Sequence, residues 1–136
     1  MDIEDLTYRI NGCAMKVHNI LGNGFQEVIY QRCLAIELNK ANIKFKREVE
    51  QEIFYDGAIV GKRRADFVVE ELVTVEIKAC INLENNHLAQ AKNYVVGYDF
   101  NIGLLINFGA TSLQFKKIYN PAINKYRTGL NKKKQD

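Results

Sequence analysis

The first part of the chain carries hydrophobic residues at the spacing of amphipathic helices. Over residues 4–21 apolar side chains recur every three or four positions, which predicts a helix with one buried face. Two glycines in the stretch LGNG end this helix and allow a second one to begin, over residues 25–41. The positions that we expect the second helix to bury are Val28, Ile29, Leu34, Ile36 and Leu38.

The pattern then changes to the alternation and the apolar runs that are typical of strands. Residues 44–55 alternate, and Asp56-Gly57 is a strong signal for a hairpin turn. The next two strands end in nearly continuous apolar runs, as expected of central strands covered on both faces. The elements predicted after the turn are strands at 58–69, 72–79, 101–108 and 113–119 and a helix at 84–98.

This order of elements predicts an α/β sandwich with a mixed central sheet. The chain has 136 residues, one proline and no internal repeat, which favours a single domain over residues 1–120. Pro121 ends the regular structure. Residues 121–136 are predicted to be a basic C-terminal tail, in which a short helix is an option.

The charge of the chain limits the binding partners that we expect, and its cysteines indicate its cellular compartment. The formal net charge is +3, which permits a polyanion as partner without demanding one. The three cysteines are widely spaced and form no C-x-x-C motif, so we expect free thiols in a reducing cytoplasm. No apolar run approaches membrane-spanning length, and the first residues lack a signal core. These features predict a cytoplasmic protein with no membrane partner.

Three charged residues stand in the otherwise apolar stretch RADFVVEELVTVEIKA. Glu76 and Lys78 are two apart on one strand and therefore point to the same side of the sheet. Asp66, on the preceding strand, shares that side only if the connection is not a plain two-residue turn. We predict a three-residue loop or a bulge here, which would bring the two carboxylates together.

The three charges have the composition of a metal-dependent hydrolytic site. Two adjacent carboxylates repel and need a cation between them, and oxygen ligands favour Mg²⁺ or Mn²⁺. A lysine beside such an ion can orient or deprotonate a water, or stabilise charge on a phosphate. Asp66, Glu76 and Lys78 therefore indicate phosphodiester hydrolysis. For so short a pattern taken alone, an ion pair at the end of the sheet is the alternative interpretation.

Two polar pairs on the helices flank these strands. Glu27 and Tyr30, in GFQEVIY, are three apart, and Gln90 and Tyr94, in QAKNY, are four apart, so each pair shares a helix face. Each sets a polar group among apolar neighbours. Taken separately, each pair has the alternative interpretation of a surface carboxylate or amide beside a half-buried tyrosine.

These motifs in this order resemble the PD-(D/E)XK nuclease superfamily, in particular its RecB-like branch. The likeness runs from about residue 5 to residue 119. The motif of Gly24, Glu27 and Tyr30 is similar to that of the small bacterial GxxExxY proteins. The resemblance implies a restriction-endonuclease-like αβββαβ core, with helices flanking a mixed central sheet, and the activity of a metal-dependent nuclease.

The resemblance also implies a role for each matching residue. Asp66 and Glu76 would hold Mg²⁺ or Mn²⁺ together with the backbone carbonyl of Ile77, and Lys78 would be the catalytic lysine. Glu27 would be a further metal ligand or would orient the water. The residues expected to line the cleft and contact the nucleic-acid backbone are Gln90, Tyr94 and Tyr30, with Lys62, Arg63 and Arg64 at its rim.

We expect a nuclease whose substrate is DNA, acting in repair, defence or element mobility. The alternative is a catalytically silent module on the same fold that binds nucleic acid or protein, and Mn²⁺ binding discriminates between the two. A homodimer is a further option, because aromatic side chains are available for an interface, although they suit a core better. These residues are Phe54, Tyr55, Tyr98, Phe100 and Phe115.

Overall fold

Three helices and five strands follow one another in the predicted order in the computed structural model, which describes residues 2–121. Their ends differ from the expected ones by at most two residues. The predicted tail beyond Pro121 lies outside the described residues. No helix within residues 2–121 has the length and apolar character needed to cross a bilayer. The elements are α1 (Ile3–Leu21), α2 (Glu27–Lys40), β1 (Phe45–Tyr55), β2 (Ala58–Val69), β3 (Val73–Lys78), α3 (Asn85–Gly97), β4 (Ile102–Asn107) and β5 (Gln114–Tyr119).

The five strands form one mixed sheet in the order β1-β2-β3-β4-β5. The β3–β4 pair is parallel and the other neighbours are antiparallel. Helix α3 provides the crossover that a parallel pair of strands requires. The mixed α/β architecture predicted from the sequence is therefore confirmed.

Both faces of the central strands are covered. Along β4, Leu104 and Ile106 pack into a core built with α1 and α2, whereas Leu105 between them packs with Ala91 of α3. Successive side chains of a strand point to opposite faces, so the two cores lie on opposite sides of the sheet. This double cover explains the continuous apolar runs in the sequence.

Helix α2 buries a different set of residues from the predicted one. Leu34 and Leu38 are fully buried as expected, but Val28 and Ile36 are exposed, at 37% and 57%. The core side of α2 instead follows residues four apart, beginning with Tyr30. Positions two residues from this stripe point away from it, which leaves Val28 and Ile36 in solvent.

The connection between β2 and β3 has three residues, as predicted. The ladder pairs Val69 with Val73, which leaves residues 70–72 between the strands. Both glutamates of this loop adopt left-handed backbone conformations, with φ of 52° and 56°. The same register sets Asp66 opposite Glu76, so the two side chains share a face of the sheet.

A single buried amide ties the carboxyl ends of β3 and β4 together. The side-chain oxygen of Asn107 accepts from the N–H groups of Cys80 and Gly109, both at 3.0 Å. Its nitrogen donates to the carbonyl of Cys80 and to the side chain of Gln114, both at 2.8 Å. Gly109 lies so close to the backbone of residues 79–80 that a Cβ there would overlap it. The chain is therefore firmly placed directly after Lys78.

The β1–β2 hairpin extends beyond the rest of the sheet. Its strands have 11 and 12 residues, against six in β3. Phe54 and Tyr55, at its far end, are 62% and 76% exposed. The other aromatic residues considered for an interface, Tyr98, Phe100 and Phe115, are half-buried. Of those five aromatic side chains, the two at the hairpin end are thus the accessible ones.

Candidate active site

The two carboxylates predicted to meet lie side by side where β2 and β3 diverge. Asp66 accepts a hydrogen bond from the N–H of Ile77 at 2.7 Å, and Glu76 accepts one from the N–H of Asp66 at 3.1 Å. These bonds take the place of the backbone ladder, whose last pair is Phe67 with Val75. They use one oxygen of each carboxylate and leave the other oxygen for a ligand.

Burial and neighbouring negative charges make this pair hard to ionise. Burial raises the pKa of Asp66 to about 6; the N–H of Ile77 opposes this shift, and the charge of Glu27 reinforces it. Burial, followed by the charge of Asp66, raises the pKa of Glu76 to about 9. Near neutral pH the pair by itself therefore carries less than its full negative charge. A cation between the carboxylates would lower both pKa values again.

Lys78 joins the site from the end of β3 and is held by α3. Its Nζ donates to Oε1 of Gln90 at 3.0 Å, and Nε2 of Gln90 donates to the hydroxyl of Tyr94 at 3.5 Å. The positive charge of Lys78 lowers the pKa of both carboxylates. Burial raises the pKa of Tyr94, and the charges of Glu76 and Asp66 add to that shift. The structure thus brings Lys78, Gln90 and Tyr94 to the carboxylate pair.

Glu27 approaches the same place as the first residue of α2. Its negative charge raises the pKa of both Asp66 and Glu76, so it lies within electrostatic reach of the pair. Within residues 2–121, no three His, Cys, Asp or Glu side chains lie close enough together to hold a metal ion. A role for Glu27 as a third metal ligand therefore stays a prediction.

The chemistry of the pair fits a hard divalent cation. Asp66 and Glu76 supply carboxylate oxygens, the ligands that Mg²⁺ and Mn²⁺ prefer. Backbone hydrogen bonds hold the two groups together in a place where burial disfavours their charge. Ile77, whose carbonyl was expected to complete the ligand set, is the buried residue next to Glu76.

Tyr30 occupies a different place from the one predicted, since it is fully buried and cannot contact a bound strand. Its hydroxyl donates to the carbonyl of Gly22 at 2.7 Å and accepts from the N–H of Phe25 at 3.2 Å. Its ring stacks on Phe108 at 4.7 Å between centroids. Tyr30 therefore fastens the α1–α2 connection, and through it the start of α2, where Glu27 lies.

The three basic residues predicted for the rim of the cleft differ in their contacts with other side chains and in their exposure. Lys62 pairs with Glu50 at 3.5 Å. The guanidinium of Arg63 donates to Gln51 at 2.6 Å and to Asn93 at 3.1 Å. A Cβ on Gly97 would overlap it, so Arg63 fills the space between the hairpin and α3. Arg64 is exposed, as a rim residue should be.

A basic residue that the sequence patterns did not single out lies within electrostatic reach of Asp66. The guanidinium of Arg47, on β1, lies 5.4 Å from the centroid of the Phe67 ring. Its Nη2 donates to Oε1 of Gln31 at 3.4 Å, and its charge lowers the pKa of Asp66. Two signals were present in the sequence. Arg47 is paired in the hairpin with Phe67, the residue after Asp66, and Gln31 lies four residues after Glu27.

Comparison with known proteins agrees with this geometry. A family model described as the PD-(D/E)XK nuclease superfamily matches residues 4–118. No curated protein matches the chain. The crystal structure of the protein SSO0001 is similar, with a TM-score of 0.56 and 24% identity, over 69% of this chain and 50% of that one. At this identity the likeness shows the fold alone, which is restriction-endonuclease-like as expected. The present chain spans half the length of SSO0001.

Proposed function

The chain belongs to the PD-(D/E)XK nuclease superfamily, and on that premise we propose that it is a Mg²⁺- or Mn²⁺-dependent nuclease that hydrolyses phosphodiester bonds of DNA. The observation that carries the proposal is the contact between Asp66 and Glu76 where β2 and β3 diverge, with Lys78 two residues further along β3. A buried and a half-buried carboxylate with raised pKa values beside a lysine are typical of a functional site.

In this proposal Asp66, Glu76 and the carbonyl of Ile77 hold the ion, and Glu27 orients water or adds a ligand. When bound, such an ion lowers the pKa of water and offsets charge on a phosphate. Lys78 supplies a second positive charge for the phosphate, at a position fixed by its bond to Gln90. Gln90 and Tyr94 form a polar wall along which the sugar–phosphate backbone lies.

We assign the protein to the RecB-like branch and to the GxxExxY family. Three features support this assignment. Gly24 has a φ of 106°, which favours glycine. Glu27 begins α2 within electrostatic reach of the carboxylates, and Tyr30 fastens the turn that precedes it. The three residues of that motif thus correspond to a turn, a negative charge and a buried side chain that fixes the connection.

Calorimetric titration with Mn²⁺ is the first test, comparing the wild type with Asp66→Ala. We expect one site in the wild type and none in the variant, because the variant loses a ligand and half of the carboxylate pair. The second test is cleavage of DNA in Mn²⁺ by the wild type and by Lys78→Ala. Cleavage that survives in Lys78→Ala would point to a contaminating nuclease.

Lys40→Ala is a suitable matched control for that lysine. Lys40 ends α2, about 20 Å along the helix from Glu27, and pairs with Glu37 at 3.6 Å. Its removal should leave both Mn²⁺ binding and cleavage unchanged. Equal loss of cleavage in Lys40→Ala and Lys78→Ala would show that charge alone, rather than the site, supports the activity.

A catalytically silent binding module is the second candidate, and one observation favours it. The raised pKa values keep the carboxylate pair partly protonated near neutral pH, a state that needs no metal. This candidate predicts no calorimetric Mn²⁺ site and DNA binding that EDTA leaves unchanged. Heat from a site that disappears in Asp66→Ala would exclude it.

The cellular setting that we propose is DNA repair, defence or element mobility in the cytoplasm. The cysteines at positions 13, 33 and 80 are free thiols, as suits a reducing compartment. We include a homodimer in the proposal, with the exposed Phe54 and Tyr55 of the hairpin as its contact surface. Light scattering tests this part, since a strictly monomeric mass would exclude a stable dimer.

A further inference from the structure

Uncharged groups hold the guanidinium of Arg47, which lies on the β1 residue paired with Phe67, the neighbour of Asp66. The Phe67 ring lies under its guanidinium, and the amide oxygen of Gln31 accepts one of its hydrogen bonds. Phe67 is fully buried and Gln31 is nearly so, which makes both of them fixed supports. The guanidinium itself is on an exposed residue. Among the residues that the structure describes, Gln31 takes one of its five N–H donors, which leaves four for another ligand.

The surroundings of Arg47 differ from those of the basic residues near it. Lys46, the preceding residue of β1, pairs with Glu71 at 2.8 Å, and Lys62 on β2 pairs with Glu50. Arg47 takes part in no ion pair within residues 2–121. An aromatic face and an amide orient a guanidinium without neutralising it, so its charge stays available for an anion.

Two positive side chains that act on Asp66 are held by different helices. Lys78 is bonded to Gln90 of α3, whereas Arg47 is bonded to Gln31 of α2, and both charges act on Asp66. The two helices cover opposite faces of the sheet. A strand with one phosphate at the carboxylates therefore meets Lys78 on the α3 side and Arg47 on the α2 side.

We propose that Arg47 binds a backbone phosphate adjacent to the one at the carboxylate pair, and so fixes the path of the substrate strand on the α2 side. The inference rests on the proposed nuclease function. The planar guanidinium suits two hydrogen bonds to phosphate oxygens, and the supports from Phe67 and Gln31 set its plane in advance. Gln31 is then a positioning residue and Arg47 a binding residue.

The test uses a fluorescein-labelled single-stranded DNA oligonucleotide and the full chain in the Lys78→Ala background, where the probe stays uncut. Affinity is measured by anisotropy over a range of salt concentrations. We expect Arg47→Ala to weaken binding at least ~10-fold and to reduce the slope of log K against log salt by about 0.7, the share of one phosphate contact on a single strand. Arg47→Lys should keep the slope and lose part of the affinity.

Two further readouts separate binding from a structural role. Lys46→Ala is the matched control, and it should leave the salt slope unchanged because Lys46 is occupied by Glu71. Mn²⁺ affinity, measured by calorimetry in the absence of DNA, should be unchanged or tighter in Arg47→Ala, since the variant removes a positive charge near Asp66.

An unchanged salt slope in Arg47→Ala would overturn the inference and leave the nuclease proposal intact. A loss of DNA affinity together with Mn²⁺ affinity and melting temperature would also overturn it, because Arg47 would then be supporting the fold. A wild type that neither binds Mn²⁺ nor cleaves DNA would instead overturn the proposed function, and this inference with it.

Discussion

The amide of Asn107 and the carboxylate pair of Asp66 and Glu76 lie at neighbouring strand ends and differ in charge and in how fully they are hydrogen-bonded. Asn107, at the end of β4, is fully buried and makes four hydrogen bonds, which satisfy both its oxygen and its nitrogen. Asp66 and Glu76, at the divergence of β2 and β3, each accept one bond from the backbone, and burial raises the pKa of both. The amide is neutral and all its hydrogen-bonding groups have partners, whereas the carboxylate pair is charged and each carboxylate has an oxygen left for a ligand.

Because of this difference, we expect the amide to contribute to stability and the carboxylate pair to function. A buried amide with all its partners stabilises the strand ends and offers nothing to a ligand. Adjacent carboxylates whose charge is disfavoured by burial destabilise the fold when ionised and attract a cation. We therefore expect changes at Asn107 to act on folding, and changes around Asp66 and Glu76 to act on metal binding and cleavage.

The largest expected effect is on catalysis and comes from Lys78→Ala. The variant should lose DNA cleavage by at least ~100-fold, because it removes a positive charge that stabilises the phosphate in the transition state. Its melting temperature should stay close to that of the wild type, since Lys78 is only half-buried. Initial rates in Mn²⁺ and thermal unfolding measure the two quantities. If the cleavage rate and the melting temperature fell together, Lys78 would have a structural role, as Asn107 has.

The next largest effect is on folding and comes from Asn107→Ala. This change leaves the N–H and the carbonyl of Cys80 without their partner, and each buried polar group left unpaired costs about 1–3 kcal/mol. We expect the free energy of unfolding in urea to fall by about 3 kcal/mol. Asn39→Ala, at an exposed position of α2, is the control and should change it little. The folded variant should bind Mn²⁺ like the wild type. Loss of Mn²⁺ binding in the folded variant would contradict the expectation that Asn107 acts on folding alone.

A smaller effect should appear in the pH dependence of stability without metal. A carboxyl group whose pKa is higher in the folded state stays protonated there at a pH at which the unfolded state has lost the proton. The free energy of unfolding is therefore highest at low pH and falls as the pH rises from the unfolded to the folded pKa. For Asp66 the window runs from 3.8 to about 6, and for Glu76 from 4.5 to about 9. The wild type in EDTA should therefore become less stable across this range.

Glu76→Gln should flatten that pH dependence and raise the melting temperature in EDTA by several degrees near pH 8, because the neutral amide does not have to take up a proton on folding, as the glutamate does. Glu52→Gln, at an exposed position of β1, should follow the wild type. Saturating Mn²⁺ should reverse the order, since the ion stabilises only the protein that binds it. Equal pH profiles of the wild type and Glu76→Gln would show that Glu76 is not electrostatically strained.

The smallest effect is expected from Gln90→Ala, which frees Lys78 without removing it. A hydrogen bond of this kind contributes about 0.5–1.5 kcal/mol, so cleavage should fall by at most ~10-fold. Binding of Mn²⁺ should not change, because Gln90 contacts the lysine rather than the carboxylates. A rate as low as that of Lys78→Ala would assign Gln90 a direct part in catalysis.

The order of elements and the meeting of the carboxylates could be predicted from the sequence. Period and turn signals are local properties, and they determined the helices, the strands and the hairpin at Asp56-Gly57. The shared face of Asp66 and Glu76 follows from alternation along two adjacent strands and from one loop length. Both arguments need only neighbours in the chain, which is why they succeeded.

Tertiary packing decided which polar side chains reach the site. Helical period alone did not reveal that α2 buries Tyr30 and leaves Val28 exposed, because the covered side depends on what packs against the helix. The partners of Arg63 and Arg47 come from other elements, at sequence separations of 30 and 16 residues. The sequence by itself thus determined the fold and the carboxylate pair. Packing between elements buried Tyr30 away from the cleft and placed Arg47 near Asp66, because hydrogen bonds and ring contacts join residues that are far apart in the chain.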